Sequence, residues 1–189
     1  MFIYEKKLQF PVNVRTTNTK LANFIISQYG GPDGELAASM RYLSQRFSMN
    51  DDVAKALLTD IGNEELAHLE IVGTLVHQLT KNATSAEIEN SPFATYFIDH
   101  GKGVWPTSAA GQPFNAMAFA VKGDPITDLT ENLAAEQKAR TTYDNILRVS
   151  NDPDVNRVIS YLRQREINHF QRFGECLNRL QCNPPKEMH

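Results

Sequence analysis

Cysteine is scarce in this sequence, which contains only Cys176 and Cys182 among its 189 residues. The two lie six positions apart near the end of one helical segment, so their side chains point to different faces and cannot easily close a disulfide. We therefore expect two free thiols, with Cys176 packed as a small apolar residue and Cys182 more exposed. Neither thiol is expected to bind a metal, because the surrounding candidate ligands are mainly hard oxygen donors.

The sequence also lacks an excess of basic residues and a long apolar run. Its 22 acidic and 19 basic residues give a formal net charge of −3, and no Lys/Arg cluster adjoins an apolar anchor. These features argue against nucleic acid or a membrane surface as a partner. No run reaches the ~18 apolar residues of a spanning helix, and the first residues lack the apolar core of a secretory signal. We therefore expect a soluble, cytoplasmic protein without a signal peptide.

Four long segments carry apolar residues three and four positions apart, which is the spacing of amphipathic helices. The first begins at Thr19, meets the glycine-rich residues 30–34 and resumes at Glu35, so a kink or a fresh start is expected there. The other predicted helices run from about Asp52 to Lys81, from about Pro125 to Val149, and from Pro153 to about Leu180.

The connections between these helices predict the topology. Short links mark two antiparallel pairs, whereas residues 82–124 lose the helical period and are rich in proline, glycine and aromatic residues. Such a long connection is typical of a crossover. We predict an all-α, ferritin-like four-helix bundle of two helical hairpins, forming a single domain over residues 1–189. Residues 1–15 are predicted to form an extended arm that crosses the surface or reaches a neighbouring subunit.

Charged residues occupy seam positions where apolar side chains are expected. A buried carboxylate or imidazole must be paired, hydrogen-bonded or bound to a metal. Dimetal sites in four-helix bundles use one glutamate from each of two helices and a Glu-x-x-His unit from each of the other two. Oxygen-rich ligation with two nitrogen donors favours manganese or iron. The residues that match this set are Glu35, Glu65, His68, Glu136, Glu166 and His169.

The pattern is duplicated within the chain. Glu35 and Glu136 each precede the glutamate of the next Glu-x-x-His unit by 30 positions, and each is followed by a tyrosine seven positions later. These tyrosines, Tyr42 and Tyr143, either hydrogen-bond a ligand of the site or serve as ordinary core residues. Arg140 lies on the seam one turn after Glu136, where it either orients a site glutamate or extends to the surface.

Other acidic and histidine residues are not expected in the site. Glu64 and Glu70 lie on other faces of the second helix and are predicted to be solvated. His77 lies on the face opposite His68, while His100 and His189 fall in a connection and in the tail. We therefore do not expect these three histidines to bind a metal.

The motifs together resemble those of the manganese catalases, and among these the short CotJC-type members associated with bacterial spore coats. The similarity spans nearly the whole chain. The segments that carry it include Gly30–Leu36, Glu64–Glu70, Asn132–Arg140 and Arg165–His169.

This resemblance implies a dimanganese centre that disproportionates hydrogen peroxide to water and dioxygen. It implies that Glu65 and Glu136 are bridging ligands and that Glu166 is an outer-sphere glutamate that moves protons. It also implies a homo-oligomer, a hexamer in the family, and a location in the spore coat with other coat proteins as partners. The metal ligands implied in this way are Glu35, Glu65, His68, Glu136 and His169.

Two alternatives remain open from the sequence. The same ligands are compatible with a ferritin-like or rubrerythrin-like di-iron protein that oxidises iron or reduces peroxide without releasing dioxygen. The chain is also compatible with a mainly structural spore-coat protein whose metal site stabilises the fold. Compared with the longer manganese catalases, it stops soon after the fourth helix, which leaves the hexamer in question.

Overall fold

The computed structural model describes residues 5–182, and within that range the regular structure is helical. One isolated bridge, between Thr107 and Pro113, accompanies the helices. The α-helices are α1 (Thr19–Gly30), α2 (Glu35–Gln45), α3 (Asp52–Thr80), α4 (Ser85–Glu89), α5 (Ala94–His100), α6 (Pro125–Val149) and α7 (Pro153–Cys182).

The helices form the predicted four-helix bundle. Helices α1 and α2 together make the first long element, and both pack along α3. Helix α6 packs along α7, and α3 contacts α7 across the bundle, so two helical hairpins face each other. Residues 81–124 connect the hairpins. The predicted all-α, ferritin-like class is confirmed.

Glycines determine the break between α1 and α2. A Cβ atom on Gly30 would lie 2.3 Å from the backbone of Pro106 and Thr107, and one on Gly34 would lie 2.8 Å from carbonyl oxygens of α1. Only a residue without a Cβ atom allows these backbones to approach so closely. The helix is therefore interrupted at the glycine-rich residues 30–34, as predicted, and a new helix begins at Glu35.

Capping groups define the starts of the long helices. The side chain of Asp51 accepts a hydrogen bond from Ala54 N at the start of α3, and Asp124 accepts one from Thr127 N at the start of α6. Each bond satisfies an amide that has no partner within the helix. Pro153 begins α7, as its sequence position predicts. The long helices end within two residues of their predicted ends.

Two clusters of buried apolar residues fill the bundle interior on either side of the charged seam positions. One lies towards the arm and includes Ile25, Leu75 and Ile159, and the other includes Leu58 and Phe173. On α3, α6 and α7 the glutamates and histidines of the predicted site fall between the residues of these two clusters. The charged residues are thus held at the centre of the bundle, away from both ends.

Residues 5–15 lie over α3 and α7 of their own chain. Val14 N donates to Gln78 Oε1 at 2.7 Å, and Gln78 Nε2 donates back to Val12 O at 3.1 Å. The ring of Phe10 stacks on Tyr161 of α7 with centroids 4.3 Å apart. The first four residues of the predicted arm lie outside the described residues.

The crossover contains more regular structure than the sequence predicted. Helices α4 and α5 interrupt it, and α4 begins with a capping box between Thr84 and Glu87. Lys102 Nζ donates to the carbonyl oxygens of Lys81 and Ala83, which attaches the crossover to the end of α3. Such short helices carry too few turns to give a clear apolar period.

Both cysteines are free thiols, with Cys176 buried and Cys182 exposed, as predicted. Among the described residues, no helix is both long and apolar enough to cross a membrane.

The close contact at Gly30 gives a test of the fold. Gly30→Ala is expected to lower the free energy of unfolding by about 1–3 kcal/mol, because the new methyl group overlaps the crossover backbone. Gly174→Ala is the matched control, since its Cβ would meet Leu133 at an ordinary 3.8 Å. Urea unfolding of metal-free protein measures both. Equal stability of the two variants would contradict the contact.

Candidate metal centre

The carboxylate of Glu65 lies between two imidazoles at the centre of the bundle. Its Oε2 atom is 2.8 Å from His68 Nδ1, and its Oε1 atom is 2.8 Å from His169 Nδ1. All three side chains are fully buried. The two rings are nearly parallel, with centroids 5.5 Å apart and an interplanar angle of 17°. One carboxylate therefore offers one oxygen to each side of a divided site.

Three further carboxylates surround this unit. Glu35 Oε2 lies 3.6 Å and Glu166 Oε1 lies 3.8 Å from His68 Nδ1, whereas Glu136 Oε2 lies 3.7 Å from His169 Nδ1. The three side chains are at most 1% exposed. The residues thus form two half-sites, each with an imidazole, a flanking glutamate and one oxygen of the central carboxylate.

The tyrosines contact the site across the bundle. The hydroxyl of Tyr42 on α2 donates to Glu136 on α6, and the hydroxyl of Tyr143 on α6 donates to Glu35 on α2. Both tyrosines are fully buried. Each hairpin therefore holds the flanking glutamate of the other, an exchange that spacing along one helix did not reveal.

Buried polar atoms without hydrogen-bond partners are concentrated here. The buried site atoms that make no hydrogen bond of good geometry, among the described residues, are Glu65 Oε1, His68 Nε2, Glu136 Oε2, Glu166 Oε1 and His169 Nδ1. Such atoms are costly unless another group satisfies them. Because they are mainly carboxylate oxygens with two ring nitrogens, cations are the groups that fit.

The electrostatics of the metal-free site divide the glutamates into two kinds. Burial acts to raise the pKa of Glu65, but the neighbouring His169 and His68 outweigh it and hold that pKa well below the usual range. Burial, reinforced by the charge of Glu65, raises the pKa of Glu35 to about 8. Burial and three neighbouring carboxylates raise the pKa of Glu166 well above its usual range.

The imidazoles hold protons in the absence of metal. Burial by itself lowers the pKa of His68 and of His169, but Glu65 and the other carboxylates raise both well above the usual value. Protons on these rings therefore balance part of the negative charge. A bound cation takes over that role, and the ring nitrogens must then lose their protons.

Glu64 belongs to the site, contrary to the expectation that it is solvated. Its Oε2 atom lies 3.0 Å from His169 Nε2, and its Oε1 atom lies 3.6 Å from His68 Nε2. Arg165 Nε donates to Glu64 Oε1 at 2.8 Å. The sequence did contain a signal for the contact with His68, because residues four apart on a helix share a face. Glu64 was predicted to be solvated because it lies beside the apolar seam rather than on it. Glu70 is exposed, as predicted.

Arg140 does not orient a site glutamate, which was one of the two roles that its sequence position allowed. Its guanidinium donates to Asp144 Oδ2 at 2.6 Å and to Gln137 Oε1 at 2.8 Å, and its side chain is 28% exposed. It therefore extends towards the surface, where a carboxylate one turn later on α6 pairs with it. His77 is exposed, and His100 stacks on Trp105 in the crossover. His189 lies outside the described residues.

Four residues meet the geometric requirement for a metal cluster most closely. Glu65, His68, Glu166 and His169 each offer one ligand atom, and these atoms lie within 4.8 Å of one another. Glu35 and Glu136 flank them, as described above. Carboxylate oxygens with two imidazole nitrogens suit divalent manganese or iron, and the division into half-sites suits two ions.

Comparison with known proteins gives a consistent result. The family model for manganese containing catalase matches residues 1–188. The chain is 49% identical to Protein CotJC of Bacillus subtilis over 180 residues, which are 95% of each chain. It is 36% identical to the probable manganese catalase of Clostridium acetobutylicum, covering 95% of this chain and 81% of the relative.

A solved structure shows the same architecture. KatB, a manganese catalase from Anabaena, superposes with a TM-score of 0.89 and 32% sequence identity, covering 100% of this chain and 85% of that chain. The match of family model, sequence and fold over nearly the whole length shows that this chain belongs to the manganese-containing catalase family.

Proposed function

We propose that the protein is a dimanganese catalase that converts hydrogen peroxide to water and dioxygen. The observation that carries this proposal is the position of Glu65, with one oxygen 2.8 Å from each of two imidazole Nδ1 atoms. A carboxylate placed in this way is suited to bridge two metal ions. Relatives named as manganese catalases support manganese as the metal.

We assign the other ligands by half-site. Glu35 with His68 would hold one ion, and Glu136 with His169 would hold the other, while Glu65 contributes to both. Because Glu136 faces His169 with one oxygen and accepts from Tyr42 with the other, we place it as a terminal ligand. This differs from the bridging role implied by resemblance.

Two manganese ions, when bound, supply the paired one-electron changes that peroxide disproportionation requires. The protein must then move two protons, released when peroxide is oxidised to dioxygen and consumed when peroxide is reduced to water. Glu166 is placed for this role, since its Oε1 atom faces His68 and makes no hydrogen bond among the described residues. The burial that raises its pKa lets it hold a proton and return it.

Tyr42 and Tyr143 keep the flanking glutamates in place during this exchange. Each hydroxyl donates to one carboxylate oxygen and leaves the other oxygen free for a metal. The two apolar clusters at either end of the site limit the entry of bulk water. A dry, fixed ligand set favours paired electron transfer over leakage of reactive species.

The location and assembly of the protein are part of the proposal. The resemblance to spore-coat members of the family, together with 49% identity to Protein CotJC, supports a place in the spore coat among other coat proteins. We further propose a homo-oligomer, for which the family hexamer is the reference. A catalase in this position would remove peroxide at the surface of a dormant cell.

Metal analysis and dioxygen evolution test the reaction. Protein produced with both manganese and iron available is expected to contain about two manganese ions per chain and to release dioxygen from hydrogen peroxide. Elemental analysis and an oxygen electrode make the two measurements. Iron without dioxygen release would favour the di-iron alternative, and bound metal without peroxide turnover would favour a structural coat protein.

Replacement of Glu166 tests the proton transfer. Glu166→Gln is expected to keep both manganese ions but to lower the rate of dioxygen release about 10²- to 10⁴-fold, because an amide cannot accept and return a proton. Glu175→Gln, on an exposed position of the same helix, is the matched control and should retain the wild-type rate. Wild-type turnover by Glu166→Gln with full metal content would refute the assignment.

Proton release on metal binding tests the electrostatics of the site. The pKa values of both imidazoles and of Glu166 are raised, and that of Glu35 is raised to about 8. Protons therefore occupy the metal-free site at pH 7, and manganese must displace them, so its affinity should rise with pH, with the part due to Glu35 levelling off above about pH 8. Calorimetry in buffers of different ionisation enthalpy counts the protons. Binding without proton release would contradict the raised pKa values.

A further inference from the structure

Both imidazoles of the site lie between two carboxylates that are consecutive in the sequence. The Nδ1 atoms face Glu65, whereas the Nε2 atoms face Glu64, at 3.0 Å for His169 and 3.6 Å for His68. Glu65 is completely buried, and the side chain of Glu64 is 14% exposed. Glu65 therefore lies on the inner edge of both rings, and Glu64 lies on their outer edge.

The carboxylate of Glu64 is held in this position by groups outside the site. Arg165 donates to both of its oxygens, from Nε at 2.8 Å and from the terminal nitrogen at 3.1 Å. Gln9 of the arm donates to Oε1 at 2.7 Å. Two-point binding by a guanidinium fixes the plane of a carboxylate as well as its position. Glu64 is thus directed at the imidazoles by contacts from both α7 and the arm.

An acceptor on the outer edge of an imidazole determines which nitrogen can bind a metal. When Nε2–H donates to a carboxylate, the proton remains on that nitrogen and the lone pair stays on Nδ1. Here both Nδ1 atoms face the inner carboxylates. Glu64 makes this hydrogen bond with His169 Nε2, at 3.0 Å, whereas its 3.6 Å approach to His68 Nε2 is an electrostatic contact beyond hydrogen-bond length.

We propose that Glu64 is a positioning residue for the ligand imidazoles. Its hydrogen bond fixes the orientation and tautomer of His169, its charge faces His68 Nε2 at 3.6 Å, and its own carboxylate is fixed by Arg165 and Gln9. This rests on the proposed metal site but not on the reaction it performs. Glu64 does not contact the metals in this assignment. Its loss should therefore weaken metal binding mainly at the half-site of His169, without removing a metal ligand.

Glu64→Gln is the direct test. The amide carries no charge and has one accepting oxygen in place of two, so it cannot accept from His169 and also from Arg165 and Gln9 on its other side. Loss of such a partner typically lowers metal affinity about 10- to 100-fold. Calorimetric titration with Mn²⁺ alone is expected to show a loss in this range. The electron paramagnetic resonance spectrum of the Mn²⁺-loaded variant should also change, because the ring orientations change.

Two further variants separate positioning from a general structural role. Asp60→Asn removes the 2.6 Å ion pair with Arg172, which also joins α3 to α7 but touches no imidazole, and should leave Mn²⁺ affinity and the spectrum unchanged. Arg165→Gln removes the ion pair of Glu64 but keeps its carboxylate beside the rings. Its loss of affinity should be smaller than that of Glu64→Gln.

The outcomes distinguish this proposal from the proposed function. Unchanged Mn²⁺ affinity and spectrum in Glu64→Gln would overturn it, as would equal losses in Glu64→Gln and Arg165→Gln. Wild-type protein that binds two manganese ions without releasing dioxygen would overturn the proposed catalase while leaving the role of Glu64 testable. Melting of the metal-free variants verifies that each is folded.

Discussion

The burial of Glu65 between two imidazoles is the interaction on which the centre of this bundle depends. A carboxylate this far from water destabilises a fold unless positive charge or hydrogen-bond donors compensate it. The two imidazoles supply this compensation as protonated rings, and in the proposed function bound metal ions would supply it in their place. Three further glutamates would be unfavourable beside it without cations. The apolar clusters on either side prevent water from screening these charges.

The two Glu-x-x-His units have the same spacing but different surroundings. Glu65 lies against two imidazoles, which keep it ionised despite complete burial. Burial and three neighbouring carboxylates favour the protonated form of Glu166 by raising its pKa. In the proposed function, one helical motif would thus provide an ionised bridge in one hairpin and a proton carrier in the other. Environment rather than residue type assigns the two roles, as in other sites that use paired carboxylates.

The sequence predicted the helices and the charged seam because both depend on local spacing. The break before Glu35 and the long crossover were also predictable from glycine and proline. Contacts between hairpins were not, because they depend on which helices face each other. The exchange of Tyr42 and Tyr143 is of this kind, and so is the contact of Glu64 with His169. Asp144, which pairs with Arg140 near the surface, lies four positions later in the chain and could have been recognised as its partner. The seam position of Arg140 instead suggested a buried side chain.

The exchange of tyrosines bears on the origin of the chain. Tyr42 donates to Glu136, which is the counterpart of Glu35 on its own helix, and Tyr143 donates to Glu35 in return. Two identical hairpins related by a two-fold axis would make both contacts at once, since residue i of one copy would meet residue j of the other. An ancestral gene encoding a single hairpin could therefore have assembled the site as a homodimer. Gene duplication and fusion through the crossover would then have freed each glutamate to diverge.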